Sequence, residues 1–177
     1  MIKGLKSHLF NKRLAEISKR TNGAKVPQQN TFKNVLFFFD GTDGAERKVV
    51  QKYATELTRY GSVVKLFAYV NTKEPDTEIG VDHYITKDIN WYQVPVSEDL
   101  QVVQEKQFDV MISLLSDIQD HHLFVINSIN ASMKIGPSLN DSHEALFDLS
   151  VDHQPTLGLP ELIKNIKSSI QLLSNGK

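Results

Sequence analysis

The sequence contains no cysteine, and that absence excludes several kinds of chemistry. Disulfide bridges, thiolate zinc sites and a cysteine nucleophile are all ruled out by composition. No apolar run approaches the roughly 20 residues that span a bilayer, and no apolar segment or cleavage site follows the basic start, as it would in a signal peptide. The composition, 40% hydrophobic and 23% charged over 177 residues, is typical of a globular protein. The sequence therefore predicts a soluble, cytoplasmic protein with no transmembrane segment.

Signatures of common catalytic sites are also missing. The sequence has no H-E-x-x-H zinc motif, no G-x-S-x-G elbow around Ser113, and neither a G-x-G-x-x-G loop nor a Walker lysine. His121 and His122 lie near Asp117, but neighbouring side chains on a helix point about 100° apart, and no third ligand is evident. This pattern favours a solvated helix start over a metal site, and we expect neither a metal nor a cofactor.

Acidic residues are scarce in the first 33 positions, where Glu16 is the only one. Eight basic residues give this segment a net charge of +7, whereas the remaining 12 basic and 20 acidic residues sum to −8. A segment of this kind can neutralise phosphates and bind RNA or the ribosome in a salt-sensitive way. A membrane-surface helix, or an arm docked on the acidic body, would have a similar pattern. The candidate nucleic-acid-binding residues are Lys3, Lys6, Lys12, Arg13, Lys19 and Arg20.

Strand and helix signals alternate after this basic segment. Apolar runs predict buried strands, and apolar residues at helical spacing predict amphipathic helices between them. The predicted order is strand 35–39, helix 45–60, strand 63–70, helix 98–106, strand 108–115, helix 117–130, strand 131–136, edge strand 146–151 and helix 159–173. This order predicts an α/β fold, a Rossmann-like three-layer arrangement with a mostly parallel sheet and a basic N-terminal helical arm. We expect the arm and a linker at 1–31 and a single α/β domain at 32–177.

The loop Asp40-Gly-Thr-Asp-Gly44 follows the first strand, where α/β proteins place phosphate loops. Two carboxylates there would repel a phosphate unless a metal intervened. The loop is also similar to the first motif of haloacid-dehalogenase-type phosphatases, but Thr42 stands where that motif needs a second Asp. A turn in which Thr42 or Asp43 caps the next helix is the simpler interpretation.

Lys134 interrupts an apolar strand, and Gly136 follows near the strand's carboxyl end. Ligands of open α/β sheets bind outside the carboxyl ends of strands, so these residues are candidates for an anion-accepting crevice. A lysine on the exposed side of a less-buried strand is the alternative interpretation. The candidate ligand-binding residues are Asp40, Thr42, Asp43, Lys134 and Gly136.

Three short segments resemble a family of uncharacterised bacterial α/β proteins that carries a domain of unknown function. They are Phe108-Asp-Val-Met-Ile-Ser, Asn130-Ala-Ser-Met-Lys-Ile-Gly136 and Phe147-Asp-Leu-Ser-Val151. More distantly, Phe108 to Gly136 is similar to the N-terminal half of heptosyltransferase-like glycosyltransferases. In those enzymes a second Rossmann-like domain holds most of the nucleotide sugar, and 177 residues leave no room for one. The resemblance therefore implies a fold used for binding and brings no activity.

Together these observations predict a non-catalytic interaction module whose basic arm contacts RNA, the ribosome or another acidic partner. The alternative is a small anionic-ligand-binding or glycosyltransferase-like protein with its site at the carboxyl ends of the parallel strands.

Overall fold

The computed structural model describes residues 2–21, 32–74, 79–138 and 146–175, and within α1 and α5 it describes the side chains of 6–16 and 158–172. Helices separate most of the consecutive strands in this part of the chain. In order they are α1 (Ile2–Thr21), β1 (Asn34–Asp40), α2 (Gly44–Arg59), β2 (Val63–Val70), β3 (Asp82–Ile85), α3 (Glu98–Gln104), β4 (Gln107–Ser113), α4 (Asp120–Ser128), β5 (Asn130–Pro137), β6 (Leu149–Val151) and α5 (Gly158–Asn175).

The six strands form one sheet in the order β3-β2-β1-β4-β5-β6, and every neighbouring pair is parallel. The chain first builds outward from β1 to β3, and then returns to the other side of β1 with β4. The strand order therefore reverses between β1 and β4, which is the position where open α/β sheets form a crevice at their carboxyl ends. The predicted Rossmann-like fold is confirmed, and the predicted edge strand is present as β6.

Both faces of the sheet are covered by helices. Phe37 and Phe39 of β1 face the layer formed by α2 and α5, whereas Leu36 and Phe38 face α3 and α4. A strand whose side chains are buried on both faces needs a continuous apolar run, and β1 has one in Val-Leu-Phe-Phe-Phe. The prediction of buried central strands and a three-layer arrangement is therefore confirmed.

Helix α1 lies outside the three layers and packs on α4. Its anchor is Phe10, which is 7% exposed and forms a small apolar cluster with Val94 and Phe124. Leu14 and Leu123 pack against the same cluster. The basic segment is thus attached to the α/β body through an apolar contact. In the part of the chain that the structure describes, no helix is long and apolar enough to cross a membrane.

Replacing Phe10 with alanine should detach α1 while leaving the sheet intact. Burial of a phenylalanine contributes about 1.5–3 kcal/mol, so opening of the helix should become roughly 10- to 100-fold more frequent. Hydrogen exchange followed by mass spectrometry should detect faster exchange in α1 and unchanged exchange in β1 and β4. The exposed Asn11→Ala variant is the matched control. Equal α1 exchange in both variants would contradict the anchoring role of Phe10.

Candidate functional site

The loop between β1 and α2 satisfies its own main-chain amides. Asp43 caps α2, because its Oδ1 accepts a hydrogen bond from the Ala45 amide at 2.6 Å. Asp40 Oδ1 accepts from the Thr42 amide at 2.8 Å. A phosphate at this helix start would have to displace two carboxylates from the N–H groups that it needs. The capping interpretation is confirmed, with Asp43 rather than Thr42 as the cap.

This loop is also held tightly against β2. The Gly41 amide donates to the Tyr69 carbonyl at 2.7 Å, and a Cβ at Gly41 would lie 2.8 Å from the Ala68 Cβ. Only glycine leaves room for the Ala68 methyl group at this position. Burial raises the pKa of Glu46, and the nearby Asp43 and Asp40 raise it further. The Arg47 guanidinium also lies at this loop, where its Nη1 donates to the Gly41 carbonyl. The carboxylates of Asp40, Asp43 and Glu46 outnumber this cation, and their charge disfavours an anion.

Lys134 lies under α4, away from the loop. Its Nζ donates to the Ile126 carbonyl at 2.7 Å, and its amide donates to Asp148 Oδ2 at 2.7 Å. Burial lowers the pKa of Lys134 to about 8, although the Asp148 carboxylate acts in the opposite direction. The side chain thus bonds the last turn of α4.

Strand register separates Lys134 from Asp40. Lys134 is level with Met111 of β4, and Met111 is level with Leu36 of β1. Leu36 precedes Asp40 by four residues, which corresponds to about 13 Å along the strand, and β5 lies two strands or about 10 Å from β1. The structure does not bring these two predicted ligand residues together.

Gly136 has a packing role. A Cβ there would lie 2.4 Å from a ring atom of Phe147, so the aromatic ring occupies the space above the glycine. Among the five predicted ligand residues, Asp40, Thr42 and Asp43 therefore share one loop, whereas Lys134 and Gly136 make separate structural contacts.

Two histidines that the sequence places at a solvated helix start are buried instead. His121 is 2% exposed and His122 is 3% exposed, and their ring centroids lie 4.0 Å apart. The start of α4 faces the carboxyl ends of the strands, where Tyr69 and Phe38 pack against the His122 ring. The expectation of solvated histidines is wrong, because α4 begins over the sheet.

Hydrogen bonds determine which nitrogen of each ring carries its proton. Gln119 Oε1 accepts from His121 Nε2 at 3.0 Å, so His121 Nδ1 accepts from the Tyr84 hydroxyl at 2.9 Å. The Gln119 amide donates to His122 Nδ1 at 3.2 Å, which leaves the proton of that ring on Nε2. Both rings are therefore held in defined tautomers by main-chain and side-chain partners.

Burial keeps both imidazoles neutral. It lowers the pKa of His121 to about 4, although Asp120 and Asp40 partly oppose the effect. It lowers the pKa of His122 to about 3, and the neighbouring His121 lowers it further. The His121–His122 pair is thus uncharged near neutral pH, and it interacts with polar groups through hydrogen bonds alone.

Two buried polar atoms in this region have no hydrogen-bond partner among the described residues: Ser113 Oγ and His122 Nε2. Ser113 is level with Phe38 at the end of β4, and Phe38 packs against the His122 ring. In the described part of the chain, no group of three or more metal-ligating side chains is assembled. One feature of the sequence could have indicated the burial of His121 and His122. They stand just after the central strand and directly before the apolar run Leu-Phe-Val-Ile.

The structure describes the side chains of three α1 cations, Lys6, Lys12 and Arg13, and all three are at least partly exposed. Lys12 and Arg13 are exposed, and the Arg13 side chain is 61% exposed although its Nη1 donates to Glu16 Oε2 at 3.2 Å. Lys6 is partly exposed. The side chains of the other three predicted nucleic-acid-binding residues lie outside the described residues: Lys3, Lys19 and Arg20.

Strand order and the three layers define this chain as a doubly wound, Rossmann-like α/β protein. The chain belongs to a family of unknown function (DUF6913), whose sequence profile matches residues 6–173. The matched region includes most of α1 as well as the α/β body.

Other comparisons add little. No curated protein matches the chain. Among solved structures, a mutant O-GlcNAc transferase of Thermobaculum terrenum is similar at 12% sequence identity and a TM-score of 0.39. The similarity covers 72% of this chain and 26% of the transferase chain, so this protein spans about a quarter of that structure.

Proposed function

We propose that this protein is a non-catalytic interaction module and that its basic arm binds RNA, free or in the ribosome. The observation that carries the proposal is the way α1 is attached. Phe10 is buried against the body, whereas Lys12 and Arg13 point outward. Cations on a docked helix can contact phosphates at a lower cost in ordering entropy than the same cations on a flexible tail.

The same attachment weakens the alternatives. A membrane-surface helix needs its apolar side for insertion, but Phe10 is already packed against Val94 and Phe124. A small anionic ligand at the carboxyl ends of the strands has less support, since the loop amides are bonded to Asp40 and Asp43. An acidic protein partner would use the same cations and is distinguished by experiment.

Charge reversal tests the proposal better than deletion, because removing α1 would expose Phe124 and Val94. The Lys12→Glu/Arg13→Glu double variant should bind single-stranded RNA at least about tenfold more weakly than the unchanged protein. The matched control is Lys48→Glu/Lys52→Glu, which reverses two exposed lysines of α2 across the sheet. Fluorescence anisotropy at low and high salt measures both, and circular dichroism checks that α1 remains helical.

Binding that is lost in the α1 variant, retained in the α2 variant and weakened by salt would support the proposal. Equal loss in both variants would point to the overall charge of the protein and would contradict a specific role for the arm. If the protein does not bind RNA but captures an acidic protein in the presence of RNase, the partner of the arm is an acidic protein and not RNA.

A further inference from the structure

A groove runs beside the basic helix α1. We call it the arm groove. It has a volume of about 580 Å³ and lies between α1, the segment 92–97, α3 and the start of β5. Small-ligand pockets have volumes of roughly 300–1,000 Å³, so the arm groove is large enough for a ring-shaped ligand. Its lining includes Arg13, Tyr92, Leu100, Gln101, Gln104 and Asn130.

The floor of the arm groove is apolar and aromatic. Leu100 and Phe124 are buried there, and the partly buried Tyr92 ring packs on the cluster that anchors α1. Trp91, which does not line the groove, is 54% exposed and stands edge-on to Tyr92, with ring centroids 5.3 Å apart. The Tyr92 ring is the aromatic surface of the groove on which a planar ligand can stack.

The rim of the arm groove carries neutral amides. Within the described residues, the side chains of Gln101 and Gln104 make no hydrogen bond, whereas the hydroxyl of Ser97 is occupied by the Leu100 amide at 3.1 Å. The two charged residues of the rim, Arg13 and Glu16, are paired with each other. An uncharged ligand with donors and acceptors for amide groups would match this rim.

We propose that the arm groove receives an unpaired nucleobase of the RNA strand that α1 contacts. This inference rests on the proposed function. Arg13 belongs both to the exposed basic side of α1 and to the groove, so a strand that follows the cations passes the opening. A base is uncharged, stacks on aromatic rings and presents donors and acceptors that match glutamine amides. The arm would then supply affinity, and the groove would supply preference among bases.

The test uses the full chain and four labelled single-stranded RNA homopolymers of about 12 nucleotides, one for each base, in fluorescence anisotropy. The unchanged protein should prefer one homopolymer by about fivefold or more over the weakest. The Gln101→Ala/Gln104→Ala variant should lose that preference but keep salt-sensitive binding. Gln51→Ala, an exposed glutamine of α2, is the control and should keep the preference.

A separate variant tests stacking. Tyr92→Leu keeps an apolar side chain on the anchoring cluster but removes the ring, and it should weaken binding of the preferred homopolymer roughly tenfold. Thermal unfolding confirms that each variant is folded.

The outcomes separate the two proposals. Equal affinity for all four homopolymers, or a preference that survives in both groove variants, would overturn the groove inference and leave RNA binding through the arm intact. No binding to any of the homopolymers or to cellular RNA would overturn both. Capture of a peptide segment in the groove, with no effect of the groove variants on RNA, would also overturn the inference.

Discussion

Lowering the pH from about 7.5 to about 5 should reduce the free energy of unfolding by about 4 kcal/mol through His121 and His122 alone. The ordinary pKa of histidine is 6.5, and burial lowers the pKa of these two to about 4 and about 3. Between pH 6.5 and the folded pKa values, these histidines bind protons in the unfolded chain but stay neutral in the folded protein. Stability from this pair is therefore complete above pH 6.5 and falls as the pH approaches the folded pKa values. A loss of this size is a large part of the free energy of unfolding of a typical protein, which is about 5–15 kcal/mol.

Urea unfolding at both pH values measures the effect. The His122→Phe variant keeps an aromatic ring beside Phe38 and Tyr69 but cannot bind a proton, so its pH dependence should be about 2 kcal/mol smaller. The contribution of Glu46, whose raised pKa acts in the opposite direction, is present in both proteins and cancels in the difference. An unchanged pH dependence in the variant would contradict the burial of a neutral His122.

Raising the pH from about 7.5 to about 9.5 should increase the free energy of unfolding by about 2 kcal/mol through Lys134. The pKa of this lysine is about 8 in the folded protein and 10.5 ordinarily, because its ammonium group is buried under α4. In this interval the unfolded chain binds more protons, so stability rises with pH. The Lys134→Met variant removes the titrating group and should lose this increase.

The exposed Lys106→Met variant serves as the control for loss of a lysine. The quantity to compare is the change in stability between the two pH values, since the methionine also removes the bond to the Ile126 carbonyl. A variant that gains as much stability at high pH as the unchanged protein would show that Lys134 is solvated.

Those parts of the fold that depend on local patterns could be predicted from the sequence. The run 35–39 is apolar at every position, which predicts a strand buried on both faces. Helix α2 is predicted by Val50, Tyr53 and Leu57 at helical spacing and by the Asp43 cap. Strand–helix alternation then implies parallel strands, since a right-handed crossover brings the chain back to the same end of the sheet.

The site could not be predicted because it depends on register and on which face of an element meets the sheet. Lys134 and Asp40 both lie on strands that a ligand crevice could use, but only the pairing of β1, β4 and β5 shows that they are at different heights. A His-His pair beside two aspartates has the composition of a solvated helix start. Its burial follows from the position of α4 over Tyr69 and Tyr84, both of which are far from the histidines in sequence.

The contact between α1 and α4 also has a consequence for synthesis on the ribosome. Phe10 packs against Phe124, which is added to the chain about 110 residues later. At roughly 5–20 residues per second, this difference amounts to about 6–22 s. During that time the apolar side of α1 has no docking surface, so a nascent chain that stalls before α4 displays Phe10 to chaperones. Translation speed between these two residues therefore sets how long the emerging helix is exposed.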